Sequence, residues 1–202
     1  MIDVSRICWN EAGLCPAVVV HAVTGEALML GWMNAESLQR TEATGEAWFW
    51  SRSRAELWHK GATSGNTLAV ESIALDCDDD ALLVRAVPRG PTCHRGTTAC
   101  WDGDTGGIVS ALDHTLRARR GAAGSYTARL LADEALRIKK VGEESAELIH
   151  AALRRDDAAL AEEAADLLYH LAAVLHGRGL SLTDALAVLH ARHGQPHRGQ
   201  KL

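Results

Sequence analysis

The 202-residue sequence contains no apolar run of the ~18 residues that a membrane-spanning helix requires. It has no run of three or more consecutive basic side chains, and its formal net charge is −5. These absences argue against a transmembrane protein, a nucleic-acid binder and a membrane-surface binder. Residues 1–13 lack a basic segment followed by an apolar one, so no secretory leader is expected and a cytoplasmic setting is. In that setting the five cysteines are expected as ligands, catalytic groups or buried thiols rather than disulfides.

The second half lacks two residue types altogether. All five cysteines and all six tryptophans fall within residues 1–101. Residues 1–106 carry 14 acidic and 8 basic side chains, whereas residues 107–202 carry 12 and 13 and are crowded with Ala and Leu. Two kinds of core imply two domains, 1–106 and 107–202. The small, polar, glycine-rich stretch Asp102–Gly107 is the expected boundary.

The first domain reads as α+β, with short strands, hairpins and one or two helices. Ala17–Ala22 is an apolar, β-branched run turned by Thr24-Gly25, which predicts a hairpin. Asn34 is placed to cap a helix over Ala35–Thr44 that Gly45 ends. Ala47–Ser51, Thr67–Leu75 and Ala81–Val87 are expected strands, and Pro88 stops the last. The second domain reads as all-α. Helices are expected over Ile108–Arg119, from a Ser125 cap to about Arg155, and from Asp156 or Asp157 to Gly177. A fourth runs from a Ser181/Asp184 capping box to about His193, leaving a frayed tail. In the third helix Leu160, Ala164, Leu167, Leu168, Leu171, Val174 and Leu175 fall at helical spacing, predicting one buried face.

Cys77, Cys93 and Cys100 are separated by 15 and then 6 intervening residues, each in or beside a turn. Three protein ligands and one position open to water suit a catalytic zinc, which lowers the pKa of its water to about 7. A closed site with His94 or another residue as fourth ligand, and plain buried thiols, remain alternatives. Cys8 and Cys15 have no nearby partner and read as ordinary thiols. Asp76, Asp78 and Asp80 recur at every second residue, so on an extended segment they share one side while Cys77 faces the other. Three hard oxygens suit Mg²⁺, and soft sulfur beside hard oxygen would sort two ions. An EF-hand is excluded, because its sixth position would be Ala81 and its twelfth Val87. A solvated acidic turn is the bland alternative. Lys60, Thr63 and Ser64, with the glycines around them, could hold a phosphate by ammonium, hydroxyl and backbone donors. The order of a P-loop is absent, and a plain surface turn explains the stretch nearly as well.

The runs Met29–Asn34, Trp48–Arg54, Leu57–Asn66, Leu75–Asp80 and Pro91–Gly96 through Cys100 resemble phosphoribosyl-AMP cyclohydrolase of histidine biosynthesis, in order and nearly ungapped over residues 15–101. One departure is Trp48, where the family usually carries tyrosine or histidine. The resemblance implies zinc on Cys77, Cys93 and Cys100, Mg²⁺ on Asp76, Asp78 and Asp80, and a homodimer whose zinc ligands come from both chains. It implies that zinc-activated water attacks C6 of an N1-substituted adenine and opens the N1–C6 bond. The zinc deaminases attack the same carbon, but their H-x-E…P-C-x-x-C signature is absent. His94, beside a ligand, is the expected catalytic base, with a supporting or packing role as its alternative. Arg52, Lys60, Thr63 and Ser64 are the expected substrate contacts.

In the second domain Glu144 and Glu147 share one helix face, and Glu163 and Asp166 another. If those helices pack antiparallel, four carboxylates converge, and clustered like charges call for cations. Mg²⁺ there would bridge substrate phosphates and orient water. Two solvated faces with salt bridges are the alternative. The segment Gly124–Leu131 and the two carboxylate pairs resemble phosphoribosyl-ATP pyrophosphohydrolase, of the all-α MazG-like pyrophosphatases, over residues 109–193. The resemblance implies Glu144, Glu147, Glu163 and Asp166 as metal ligands, with Glu143 as a further ligand or catalytic base. Lys139 and Lys140, one turn earlier, are expected to contact substrate. The expectation is thus a bifunctional hydrolase acting on small phosphoribosyl nucleotides. The rivals are a zinc-stabilised binding module on a helical dimerisation domain, and a housekeeping nucleotide pyrophosphatase.

Overall fold

The computed structural model describes residues 2–102 and 107–193, and the chain divides into two compact units, Met1–Gly107 and Ile108–Leu202. Most of the expected boundary and the whole expected frayed tail lie outside the described residues.

The first unit holds β1 (Cys15–His21), β2 (Ala27–Met33), α1 (Ala35–Thr44), β3 (Trp48–Ser51), β4 (Glu56–His59), β5 (Leu68–Leu75) and β6 (Leu82–Pro88). Four strands form one sheet in the order β2-β1-β6-β5, and β3 pairs with β4 in a second. The β1 and β6 strands run parallel and the other pairs antiparallel. Along β1, Cys15, Ala17 and Val19 are fully buried and alternate with partly exposed residues, as one buried face demands. The single phenylalanine, Phe49, is also fully buried. Gly31 on β2 makes room for it, since a Cβ there would overlap the Phe49 ring. Asn34 caps α1 in a reciprocal box with Ser37, and Gly45 closes it in the left-handed region. Strand β4 was not expected. Glu56–His59 carries no apolar alternation, and only its pairing with β3 makes it a strand.

The second unit is wholly helical, as expected: α2 (Ile108–Ala118), α3 (Tyr126–Ala132), α4 (Glu134–Arg154), α5 (Asp157–Gly177) and α6 (Leu182–Arg192). No helix among the described residues is long and apolar enough to cross a membrane. The long helix expected from Ser125 to Arg155 is two helices. Asp133 is extended and ends α3, and its carboxylate then caps α4 by accepting from the Leu136 N–H at 3.0 Å. Arg137 closes the break by donating to the Leu130 and Leu131 carbonyls at the end of α3. The single buried face expected for α5 also needs correction. Ala172 and Ala173 are fully buried, while Leu168 is 54 % and Leu171 37 % exposed.

His21 ends β1 and shapes the turn into β2. Its Nδ1 accepts from the Val23 and Thr24 N–H groups at 3.1 and 3.3 Å, which requires the unprotonated nitrogen. Burial holds its pKa below the ordinary histidine value, with Glu26 and Glu71 opposing. The unfolded chain therefore takes up this proton before the folded one, and stability is lost as pH falls below ~6.5. All six tryptophans lie in this unit, so their fluorescence reports it alone. The urea midpoint read by tryptophan should fall between pH 7.5 and pH 5.5, and His21→Asn should flatten that dependence. An unchanged slope in the variant would remove His21 from the account.

Candidate active sites

In the first unit the expected site residues fall into two groups. Strand β6 ends at Pro88 and runs into the loop 91–100. That loop is closed by the Cys93 N–H on the Thr97 carbonyl, at 3.1 Å, and the Gly96 N–H on the Cys93 carbonyl, at 3.0 Å. The Cys100 N–H then anchors it to the Leu28 carbonyl of β2 at 2.8 Å. The loop places Cys93 and Cys100 on the lining of one cavity. The Arg95 N–H, 3.5 Å from the Cys93 sulfur, and the Thr97 hydroxyl hold the Cys93 thiol down to about 7. Burial, then the neighbouring Cys93 charge, push Cys100 up. Two cysteine sulfurs on one cavity, each ligating as a thiolate once its proton is lost, are donors that suit zinc.

Cys93, Cys100 and His94 line a cavity of about 340 Å³ together with Lys60, Thr63, Ser64, Asn66, Met29 and Trp58. The structure thus joins the thiol pair to the stretch read as a phosphate loop. Gly61, at φ +90°, makes that loop possible, since a Cβ there would meet the Asn66 carbonyl carbon at 2.5 Å. Thr63 and Ser64 are exposed at the rim, whereas Lys60 is only 6 % exposed and donates to the Asn66 carbonyl at 3.1 Å. His94 is exposed, with Nδ1 3.9 Å from the Cys93 sulfur. Arg52 does not line this cavity, and its guanidinium lies 4.7 Å above the Trp32 ring. His59 stacks on Trp48, the family departure, with centroids 4.5 Å apart.

Cys77 belongs to the other group. It is exposed on the turn between β5 and β6, and it joins Cys93 and Cys100 in no group of three ligand-type side chains among the described residues. Its neighbours Asp76, Asp78 and Asp80 do converge, with one oxygen of each within 4.8 Å of the others. The convergence comes from a turn and not from the extended segment expected. Asp79 takes φ +62°, and the Asp76 carboxylate accepts from the Asp80 and Ala81 N–H groups at 3.0 and 3.1 Å. Those bonds lower the Asp76 pKa, while the Asp78 and Asp76 charges raise that of Asp80.

In the second unit α4 and α5 carry the expected carboxylates to one place. Oxygens of Glu144, Glu163 and Asp166 lie within 4.8 Å of one another, and Glu147, expected as the fourth, is not in that group. Burial, then the Glu147, Glu144 and Asp166 charges, raise the Glu163 pKa. Lys140 bridges Glu144 at 2.7 Å and Glu143 at 3.1 Å, and Lys139 bridges Glu143 at 3.0 Å. Both lysines therefore neutralise this cluster in the free chain, and both carboxylate partners hold Lys140 well above the ordinary lysine range. Three carboxylates that repel one another suit a divalent cation. His170 was missed from sequence. It is 5 % exposed, with Nε2 3.6 Å from Glu144 and Nδ1 without a hydrogen-bond partner among the described residues. Its place one turn after Asp166 was the available signal.

The chain matches the phosphoribosyl-AMP cyclohydrolase family over residues 29–102 and the phosphoribosyl-ATP pyrophosphohydrolase family over residues 109–193. It is 45 % identical over 201 residues to the histidine biosynthesis bifunctional protein HisIE of Shewanella oneidensis, covering 97 % of this chain and 95 % of that one. The proteins of the same name from Bacillus subtilis and Escherichia coli are 46 % and 49 % identical. Those alignments cover 96 % and 92 % of this chain, and 99 % and 94 % of the relatives.

A raised folded pKa at Glu163 means that its ionised form opposes folding. The cost is present at neutral pH and disappears as pH falls below ~4.5, where the carboxyl becomes protonated in both states. Without divalent ions, Glu163→Gln should therefore unfold at higher denaturant than the parent at pH 7.5, followed by helical circular dichroism, with the gap closing below pH 4.5. Mg²⁺ should raise the parent's midpoint more than the variant's. A variant that is less stable at pH 7.5 would contradict the like-charge account.

Proposed function

The chain belongs to the family of bifunctional histidine-biosynthesis proteins that join a phosphoribosyl-AMP cyclohydrolase to a phosphoribosyl-ATP pyrophosphohydrolase. On that premise we propose how its residues divide the two hydrolyses. One observation carries the reading: each unit has its own group of converging carboxylates, and the first adds two cysteines on one cavity.

In the second unit Glu144, Glu147, Glu163 and Asp166 hold Mg²⁺, which when bound neutralises the charge of the substrate's phosphates. Glu143, 39 % exposed and already a proton-acceptor group at neutral pH, takes the proton of the attacking water. Lys139 and Lys140 exchange their carboxylate partners for substrate phosphate as the cation binds. One water is consumed, one phosphoanhydride bond breaks, and phosphoribosyl-AMP and pyrophosphate leave. The chemistry of the second unit thus supplies the substrate of the first.

In the first unit Cys93 and Cys100 hold zinc with Cys77 of a second copy, and Asp76, Asp78 and Asp80 hold Mg²⁺. Zinc in such a site supplies a water acidified to near neutrality. His94, at the rim of the cavity, accepts the proton of the water that adds to C6 and returns it to the nitrogen released when N1–C6 breaks. Thr63 and Ser64 hold the phosphoribosyl phosphate by hydroxyl and backbone donors, and Arg52 reaches the same nucleotide. Trp58 and Met29 supply apolar surface for the base.

In this reading the protein is a homodimer, which is supported by one chain offering Cys93 and Cys100 in one place and Cys77 elsewhere. In the second unit, Ile138, Ile149, Leu153 and Leu168, each more than half exposed, are further apolar surface for a second copy.

Cys93→Ser should abolish ring opening and spare pyrophosphate release from phosphoribosyl-ATP, so that phosphoribosyl-AMP accumulates. Glu147→Gln should do the reverse, blocking the first step while added phosphoribosyl-AMP is still opened. Chromatographic product analysis separates the outcomes. Either variant silencing both steps while still folded would defeat the two-site reading.

A further inference from the structure

Lys60 is the most deeply buried lysine among the described residues, and its partners do not account for its charge. Burying an ammonium is costly unless an opposite charge or a full set of acceptors meets it. The group has three N–H donors. One goes to the Asn66 carbonyl, and no carboxylate pairs with it among the described residues. The groups whose ionisation opposes the effect of burial on it are Cys100 and Cys93. Both line its cavity.

The backbone fixes this arrangement. The Lys60 N–H donates to the Ala47 carbonyl at 3.0 Å, next to strand β3. Gly61 then folds the following loop back so closely that no side chain fits, which sets the Asn66 carbonyl against Nζ. The residues suited to a phosphate, Thr63 and Ser64, are exposed at the rim, while the lysine is buried.

We propose that the buried Lys60 ammonium is the counter-charge of the thiolate cluster, strengthening zinc binding there instead of holding substrate phosphate. The proposal rests on the zinc reading of that site. Three thiolates around a divalent ion leave one net negative charge, and an ionised nucleophile adds another. In a half-enclosed cavity that excess is costly, and a fixed cation beside the sulfurs offsets it. Lys60 is a positioning residue in this scheme, acting on the ligands through their charge.

The test uses the full chain and zinc alone, titrated against a chromophoric chelator. Lys60→Met removes the charge and keeps the length. Lys60→Gln also keeps a donor for the Asn66 carbonyl, and serves if the Met variant does not fold. Each should weaken zinc binding by about 10–100-fold, the range for groups that support metal ligands, and Lys60→Arg should restore most of the loss. The urea midpoint of the metal-stripped protein should stay level or rise, because a buried charge has gone. KM for phosphoribosyl-AMP in zinc-saturated enzyme should stay within a few-fold of the parent. Unchanged zinc affinity in the folded Met and Gln variants would overturn the proposal. So would a raised KM at unchanged zinc affinity, which would return Lys60 to the phosphate. A parent chain that takes up no zinc would overturn the zinc reading itself, and this proposal with it.

Discussion

Sulfur ligands must converge on a metal, and this chain holds Cys93 and Cys100 in one loop and Cys77, the third proposed ligand, on another turn. Cys93 and Cys100 are brought together by a loop pinned to β2, while Cys77 is carried outward between β5 and β6. Much of the first unit serves that separation. The parallel pairing of β1 with β6 sets where the Cys77 turn begins, and β2 anchors the other pair through the Leu28 carbonyl. The proposed zinc site is therefore one that two copies of the chain would complete together.

A second theme is charge held against its own repulsion. In each unit a clustered carboxylate has a raised pKa: Asp80 in the acidic turn through the Asp78 and Asp76 charges, and Glu163 on α5 through burial and then its like-charged neighbours. Each unit also keeps a lysine close to its cluster. Lys140 bridges Glu143 and Glu144 openly, at 25 % side-chain exposure, whereas Lys60 is buried on the cavity that Cys93 and Cys100 also line. An exposed lysine can yield to an incoming cation or phosphate, and a sealed one stays in place.

Much of this was legible in the sequence, because it is local. The Asn34 and Ser181 caps, the hairpin turn at Gly25 and the i, i+3 carboxylate pairs each depend on residues a few positions apart. What escaped was set by distant partners. Strand β4 exists through β3. The break at Asp133 is sealed by Arg137, which reaches back to the end of α3. Leu168 and Leu171 follow helical spacing, yet burial depends on what covers them, and spacing cannot report that. The aspartates converge, but through a left-handed turn at Asp79 that alternation does not predict. His170 was hidden because a histidine one turn from Asp166 shows its meaning only when α4 brings Glu144 against it.

The central claim is that one zinc site draws on two chains, and mixing two defective proteins tests it most directly. Cys77→Ser and Cys93→Ser homodimers each lack a ligand in both sites. In a mixed dimer, one site takes Cys77 from one chain with Cys93 and Cys100 from the other and is intact, while the second lacks two ligands. Ring opening in a subunit-exchanged mixture should therefore reappear, at no more than half the parent activity per mixed dimer, and zinc content should rise with it. A mixture that exchanges subunits yet stays as inactive and zinc-poor as its parents would contradict the shared site.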